Sequence, residues 1–327
     1  MNKNDFYKKV EKLIDPMMVG SLHFIQPFNQ WLPKIIQTKF VESSSKQMPY
    51  MGFVVEPYSF FLCYEIIDPE KAESLIPKNF KLIKTKIFEN DEPKYYCIFG
   101  CINAHTSAFW GSRVEFYIIA ENTETGLLSW IIVDYDTNTI SYDKKSGLRG
   151  PNSQSVVTTN HRGEIIIDVR NNRENRNLVC NANIKNGVMN NLDQRLWLEG
   201  NLSIGYGRNL SESGDIFSLK FDPDEVEKAL HISNSDLQLE QNTWFKGLFA
   251  NEPSNIVCFP YAQHFVSDSP GAASNLKNRD EMVAAKEAID FDKIKVLSSR
   301  SFQTMFLLSS LITLALTVTF FLLWILK

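Results

Sequence analysis

The 327-residue chain is poor in the motifs that announce a chemistry. It holds no Gly-x-Ser-x-Gly, no phosphate-binding loop, no dinucleotide fingerprint and no His-Glu-x-x-His, so the local signatures of serine hydrolases, P-loop nucleotidases, Rossmann dehydrogenases and zinc proteases are absent. Histidine is scarce, at 5 residues, and His161 and His264 stand isolated with no nucleophile beside them. The 5 cysteines are scattered. Cys97 and Cys101 fall four apart inside "YYCIFGCIN", on one face of a strand. A zinc site would want Cys-x2-Cys and a second ligand pair, so no metal is expected and the cysteines read as buried free thiols, which fits a reducing, cytosolic setting. Basic clusters are also missing. With a net charge of −4 and no Lys/Arg patch over the body, nucleic acid is not an expected partner. The start, "MNKNDFYKKVEKLIDPMMVG", has no apolar run of signal-peptide length.

Charge is missing in one further place, and there the absence is a signal. Met305–Leu326, "MFLLSSLITLALTVTFFLLWIL", contains no Asp, Glu, Lys or Arg. At about 1.5 Å of rise per residue, such a helix covers a hydrocarbon core of roughly 30 Å. Lys293, Lys295 and Arg300 precede it and only Lys327 follows. The positive-inside rule then keeps the N-terminal body in the cytoplasm, as a tail-anchored, single-pass protein whose partner is the membrane. The triplets Asn201-Leu-Ser203 and Asn209-Leu-Ser211 read as chance matches to a glycosylation acceptor.

Four regions follow. Residues 1–52 form a partly helical extension, in which Phe6, Val10 and Leu13 are spaced as one helix face. "HFIQPFNQWLPKII" then packs on the body or touches the bilayer surface, packing being favoured by its sparse positive charge. Residues 53–266 are a β domain. "DPEKAESLIP" is one short helix with Asp68 as cap and Pro69 at the first helical position, and "DPDEVEKAL" is a second, capped by Asp222. Around them run strands: "FKLIKTKIF", "KYYCIFGCIN", "RVEFYIIAEN", "LLSWIIVDYD", "SVVTTN", "EIIIDVR", "LVCNANI", "RLWLEGNLSIGYG" and "IFSLKF". Short polar turns separate most of them, which predicts a mainly β, antiparallel barrel or sandwich. The aromatic stretch "NTWFKGLFANEPSNIVCFPYAQHF" is expected to close one end. Residues 267–300 read as a linker with a helical stalk, and residues 301–327 as the anchor.

Two stretches carry a family resemblance. "FFLCYEIIDPEKAESLIPKNFKL" resembles the opening of acetoacetate decarboxylase-like proteins, a strand, a short helix, a Leu-x-Pro turn and a strand. "VEFYIIAENTETGLLSWIIVDYDTNTISYDKKSGLRGP" resembles that family's hairpin and its Gly- and Pro-containing loop. Together they cover about residues 60–152. The resemblance implies an antiparallel β barrel or cone, no cofactor, and a loop whose tandem lysines support Schiff-base decarboxylation of a β-keto acid. Such a lysine must attack as a neutral amine, favoured by an apolar pocket and a neighbouring cation. Aligned on Pro151, this chain has Asn152 and Ser153 at the lysine positions, and Lys144-Lys145-Ser146 at the family's Gly-Arg-Glu triplet. An amide cannot form a Schiff base, so this alignment removes the decarboxylase chemistry.

Three readings stand side by side. The first is a domain that binds or processes a small carboxylate or acyl-type ligand through Arg149, the backbone of Gly147 and Gly150, Asn152, Arg113 and His105. The second is an active lyase using Lys144, Lys145 or Glu115, although Asp143 would hold a neighbouring ammonium charged. The third is a membrane-recruited interaction module without a ligand. Arg113 and Glu115 share one strand face and are expected to form an outward salt-bridged pair; turned inward, each would need the other.

Overall fold

A computed structural model of the chain describes residues 3–29, 31, 33, 35, 51–106, 109–143, 147–267, 276, 278–294 and 299–326. The strands are β1 (Met51–Val55), β2 (Ser59–Glu65), β3 (Phe80–Leu82), β4 (Lys84–Thr85), β5 (Lys94–Thr106), β6 (Trp110–Asn122), β7 (Leu128–Thr137), β8 (Ser141–Asp143), β9 (Gly147–Arg149) and β10 (Gln154–Thr159). They continue with β11 (Glu164–Asn171), β12 (Arg176–Asn183), β13 (Val188–Asn191), β14 (Ile204–Tyr206), β15 (Ile216–Phe217), β16 (Leu219–Phe221), β17 (Lys228–Ile232), β18 (Leu237–Asn242), β19 (Asn255–Phe259) and β20 (Gln263–Ser267). The helices are α1 (Lys3–Lys12), α2 (Pro16–Asn29), α3 (Pro69–Leu75), α4 (Gln194–Trp197), α5 (Arg279–Glu287) and α6 (Ser299–Ile325).

The chain is mainly β, but among the described residues no pairing closes a barrel. A large sheet runs β13-β17-β19-β2-β5-β6-β7-β14-β15, and the far end of β5 takes β1, which leads to β20 and β16. The sheet is mixed, because β14 lies parallel to β7. A second sheet runs β10-β11-β12-β18, and β8 pairs with β9 alone. The large sheet buries both faces without closing. On one face Phe99, Cys101, Val114, Phe116 and Ile118 pack with Ile165, Ile167 and Leu178 of the second sheet. On the other, Phe61, Trp130, Trp197 and Phe259 interlock, with Phe61–Trp197 and Trp130–Trp197 ring centroids both 5.2 Å apart. Period-2 alternation therefore places apolar side chains on both sides of the central strands.

A polar clasp stitches the sheets together. Arg176 of β12 pairs with Asp134 and with Asp136 (2.7 Å) of β7, its guanidinium 4.3 Å from the centre of the Trp244 ring. Asn171 Nδ2 donates to the fully buried Asp136 at 2.6 Å.

Local signals held where they were local. Asp68 accepts from Lys71 N at the start of α3, and Pro69 occupies the first turn. Phe6, Val10 and Leu13 are all buried, α1 packing on β1 and β20. All five cysteines are buried and free. Elsewhere the structure departs from expectation. "RLWLEGNLSIGYG" is not one strand: Asp193 caps α4 by accepting from Leu196 N, a 3-10 turn follows, and only Ile204–Tyr206 is extended. Asp222 caps a 3-10 turn, and "KALHI" then becomes β17 because β13 and β19 both offer it a ladder. The aromatic stretch expected to close one end supplies β19 and the start of β20, both in the large sheet. The stalk reading gives way too. α5 packs on the body through fully buried Met282, and its Lys286 Nζ donates to Asp222 at 2.9 Å, both ends buried.

α6 has 27 residues, and its stretch Leu307–Ile325 is long and apolar enough to cross a membrane, with none of it buried against the body. Nineteen residues of helix reach roughly 28 Å, consistent with a single span.

Candidate functional site

The most unusual side chains lie on β6. Alternation sends Arg113, Glu115 and Tyr117 to the face opposite Val114 and Phe116. The expected outward pair is inward: Arg113 and Glu115 are each only 9% exposed. The two faces of β6 are both covered, so a charge on either one is buried and must find a partner. Arg113 Nε donates to Glu115 Oε1, and Tyr117 OH donates to Glu115 Oε2. The guanidinium sits 4.0 Å from the centre of the Tyr135 ring and 5.8 Å from that of Phe109, geometry in which ring quadrupoles favour a cation.

Burial opposes the Arg113 charge, but the neighbouring Glu115 carboxylate outweighs it and holds the cation more firmly than usual. Burial, then Glu115, push the Tyr117 phenol well up, and burial likewise raises Tyr206 of β14. Both phenols are therefore neutral donors at physiological pH. Glu115 uses only the Nε side of the fork. Among the described residues no protein acceptor engages either Nη group of Arg113. A buried arginine with two free donor groups beside neutral phenols is suited to a planar anion.

The loop rim meets this cluster from one side. Tyr135 OH lies 3.3 Å from Ser141 Oγ, and Ser141 pairs across the hairpin with Arg149. Arg149 Nη2 donates to Ser211 Oγ at 2.8 Å, which donates on to Glu212; the Glu212 charge is felt at Tyr206. Asn152 is occupied at both ends: its Oδ1 accepts from Thr137 N at 2.7 Å and its Nδ2 donates to Tyr135 O at 2.9 Å. It clamps the end of β7 and so fixes where the Tyr135 ring lies. Gly147 opens β9, facing Asp143. Gly150 is an approach point for α2, since a Cβ there would fall 3.1 Å from Gln26 Nε2. That Nε2 is buried without a hydrogen-bond partner. Lys144 and Lys145 lie outside the described residues.

His105 is not part of the cluster. It stacks on Trp110 at 4.8 Å and its Nε2 lies 2.5 Å from Glu56 Oε1, while Asn103 Nδ2 donates to Glu56 Oε2 at 3.1 Å. Glu56 could not be read from sequence as its partner, because register joins β1 to β5 across some fifty positions. His264 is not isolated either. Its Nδ1 lies 3.0 Å from Glu225 Oε1, its Nε2 lies 3.4 Å from Glu11 Oε1, and Tyr7 stacks on it at 4.4 Å. Burial would depress this imidazolium, but hydrogen bonds and charge from Glu225 and Glu11 leave its pKa raised; burial raises Glu225. These residues fasten α1 to β20. Among the described residues no group of His, Cys, Asp and Glu is arranged to hold a metal ion.

The chain matches no family model, and a search of curated proteins finds no match.

Proposed function

We propose that the protein is a membrane-anchored domain that binds a small carboxylate or acyl-type ligand on the Arg113 face of its large sheet. One observation carries the reading: a buried arginine, neutralised on its Nε side by Glu115, keeps both Nη groups without a protein acceptor among the described residues. A ligand carboxylate would take the Nη fork, with Tyr206 as a neutral donor and Tyr135 holding the cation from behind. Arg149, on the adjoining hairpin, supplies the second positive charge that offsets Glu115 plus a bound anion. The rest of this face is filled by Phe61, Trp130, Trp197 and Phe259, which confines the ligand to the polar end. The order β2, α3, β3 is the one that the resemblance to acetoacetate decarboxylase-like proteins implies. In this reading the site works without a Schiff base, and α6 holds the body at the cytoplasmic side of a bilayer.

The test is thermal unfolding of the full chain in detergent micelles against acetoacetate and straight-chain carboxylates. A carboxylate at a hundred times its dissociation constant adds about 2.7 kcal/mol of stability. Arg113→Lys, which keeps the charge but loses the fork, abolishes the gain. A shift that survives Arg113→Lys refutes the site. Borohydride treatment with acetoacetate separates the lyase reading: reduction that marks Lys144 or Lys145 replaces binding with Schiff-base chemistry.

A further inference from the structure

α2 is apolar on two opposite sides. Val19, Leu22 and Gln26 are buried and recur at three- and four-residue spacing, so they form the side that covers the body, reaching β9. Met17 and Phe24 are seven apart, one turn-pair along the opposite side, and are 62% and 55% exposed. The chain beyond α2 continues the pattern, with Trp31 84% and Ile35 66% exposed. From Pro16 to Pro33 there is no Asp, Glu, Lys or Arg. A water-facing surface of this composition is unusual in a soluble body.

The same helix touches α6. Since Leu307–Ile325 is entirely unburied, the contact falls at the root of α6, where a spanning helix leaves the hydrocarbon core. α2 is thereby held at the level of the headgroups, the depth at which Trp side chains concentrate.

We propose that α2 lies in the plane of the bilayer that α6 crosses, with Met17 and Phe24 of the helix, and Trp31 and Ile35 beyond it, inserted at the headgroup–acyl boundary. The occupant of this surface is lipid. The arrangement also places the β8–β9 hairpin next to the membrane, because the inner side of α2 meets Gly150 through Gln26. The inference rests on α6 spanning the bilayer and does not depend on what the Arg113 face binds.

Native thiols are all buried, so a single introduced cysteine can be labelled selectively. Met17→Cys and Trp31→Cys carry an environment-sensitive fluorophore in the full chain, reconstituted into phosphatidylcholine nanodiscs. Leu311→Cys reports the span and Lys185→Cys an exposed turn of the body. The expected result is blue-shifted emission at 17 and 31, quenched more by lipid bearing a nitroxide at acyl carbon 5 than at carbon 12. Position 311 is quenched most by carbon 12, and position 185 by neither. Three outcomes overturn the proposal. Water-like, unquenched emission at 17 and 31 with normal quenching at 311 removes the α2 contact and leaves the span intact. A blue shift without lipid quenching assigns the surface to another protein copy. Loss of quenching at 311 removes the span and the inference with it.

Discussion

Replacing Arg113 by Met tests whether the inward pair on β6 behaves as a buried ion pair. Both side chains are 9% exposed. Removing one leaves an uncompensated charge in a covered face, which costs about 3–5 kcal/mol. Glu115→Leu is expected to cost as much, since it strands the guanidinium with only the Tyr135 and Phe109 rings beside it. The double variant removes both charges and leaves a different defect. The Tyr117 hydroxyl loses its acceptor, and an unsatisfied buried hydroxyl costs about 1–3 kcal/mol. Adding Tyr117→Phe removes that last group, and the triple variant returns close to wild type. In thermal unfolding of the full chain, read by tryptophan fluorescence in detergent micelles, each single variant therefore loses about 6–20 °C, taking roughly 2–4 °C per kcal/mol. Recovery in the double and triple variants is the diagnostic. Single losses under about 1 kcal/mol would mean water reaches the pair and screens it. A double-variant loss equal to the sum of the singles would show that the two residues do not act on one another.

Other consequences are as direct. The folded pKa of His264 is raised, and Glu225 is raised as well. Stability from His264 is complete below its unfolded value near about 6.5 and is lost as pH rises through the folded value, and Glu225 acts in the same direction. Denaturant midpoints should thus fall for wild type as pH rises above about 6.5 and flatten in His264→Gln; equal slopes exclude this contribution of His264. Gly200→Ala would drive a methyl into Nε1 and Cδ1 of Trp130 and displace the indole from its 3.0 Å bond to Leu196 O. A destabilisation of about 1–3 kcal/mol with altered tryptophan emission is expected, and an unchanged spectrum would contradict that packing. Leu314→Arg with Val318→Arg adds about 5–7 kcal/mol to insertion of α6. The protein then moves from the carbonate-resistant membrane pellet to the supernatant, and continued retention would show that α6 is not what holds it.

What could be read from sequence was set by separation along the chain. The Asp68 cap and the Phe6–Val10–Leu13 face need only a turn or two of helix, and the uncharged α6 needs only its own composition. Alternation correctly put Arg113 and Glu115 on one face. It could not say which face is covered, because that depends on strands β10 to β12 and β18 arriving on one side and Trp197 on the other. The partners of His264 lie 39 and 253 residues away, beyond any spacing rule. "RLWLEGNL" alternates well enough to pass for a strand, yet Asp193 offers its first turn a cap and Trp197 Nε1 finds Ile87 O at 3.0 Å. Tertiary packing overrode the local pattern there, as it did for β17.

The order in which the chain visits its two sheets has a consequence for how it comes apart. Strands β1 to β7 belong to the large sheet, β10 to β12 to the small one, β13 to β17 to the large one, β18 to the small one, and β19 and β20 to the large one again. Each sheet thus needs strands made after the other has begun, and β14 meets β7 only after the three intervening small-sheet strands have been laid down. No cut between residues 55 and 263 releases a piece with a finished large sheet, and a cut between residues 159 and 237 leaves neither sheet whole. The two layers are one cooperative unit that assembles through distant contacts, which makes folding slow and makes a partial unfolding that spares one layer costly. Probes placed on either layer should report a single shared transition.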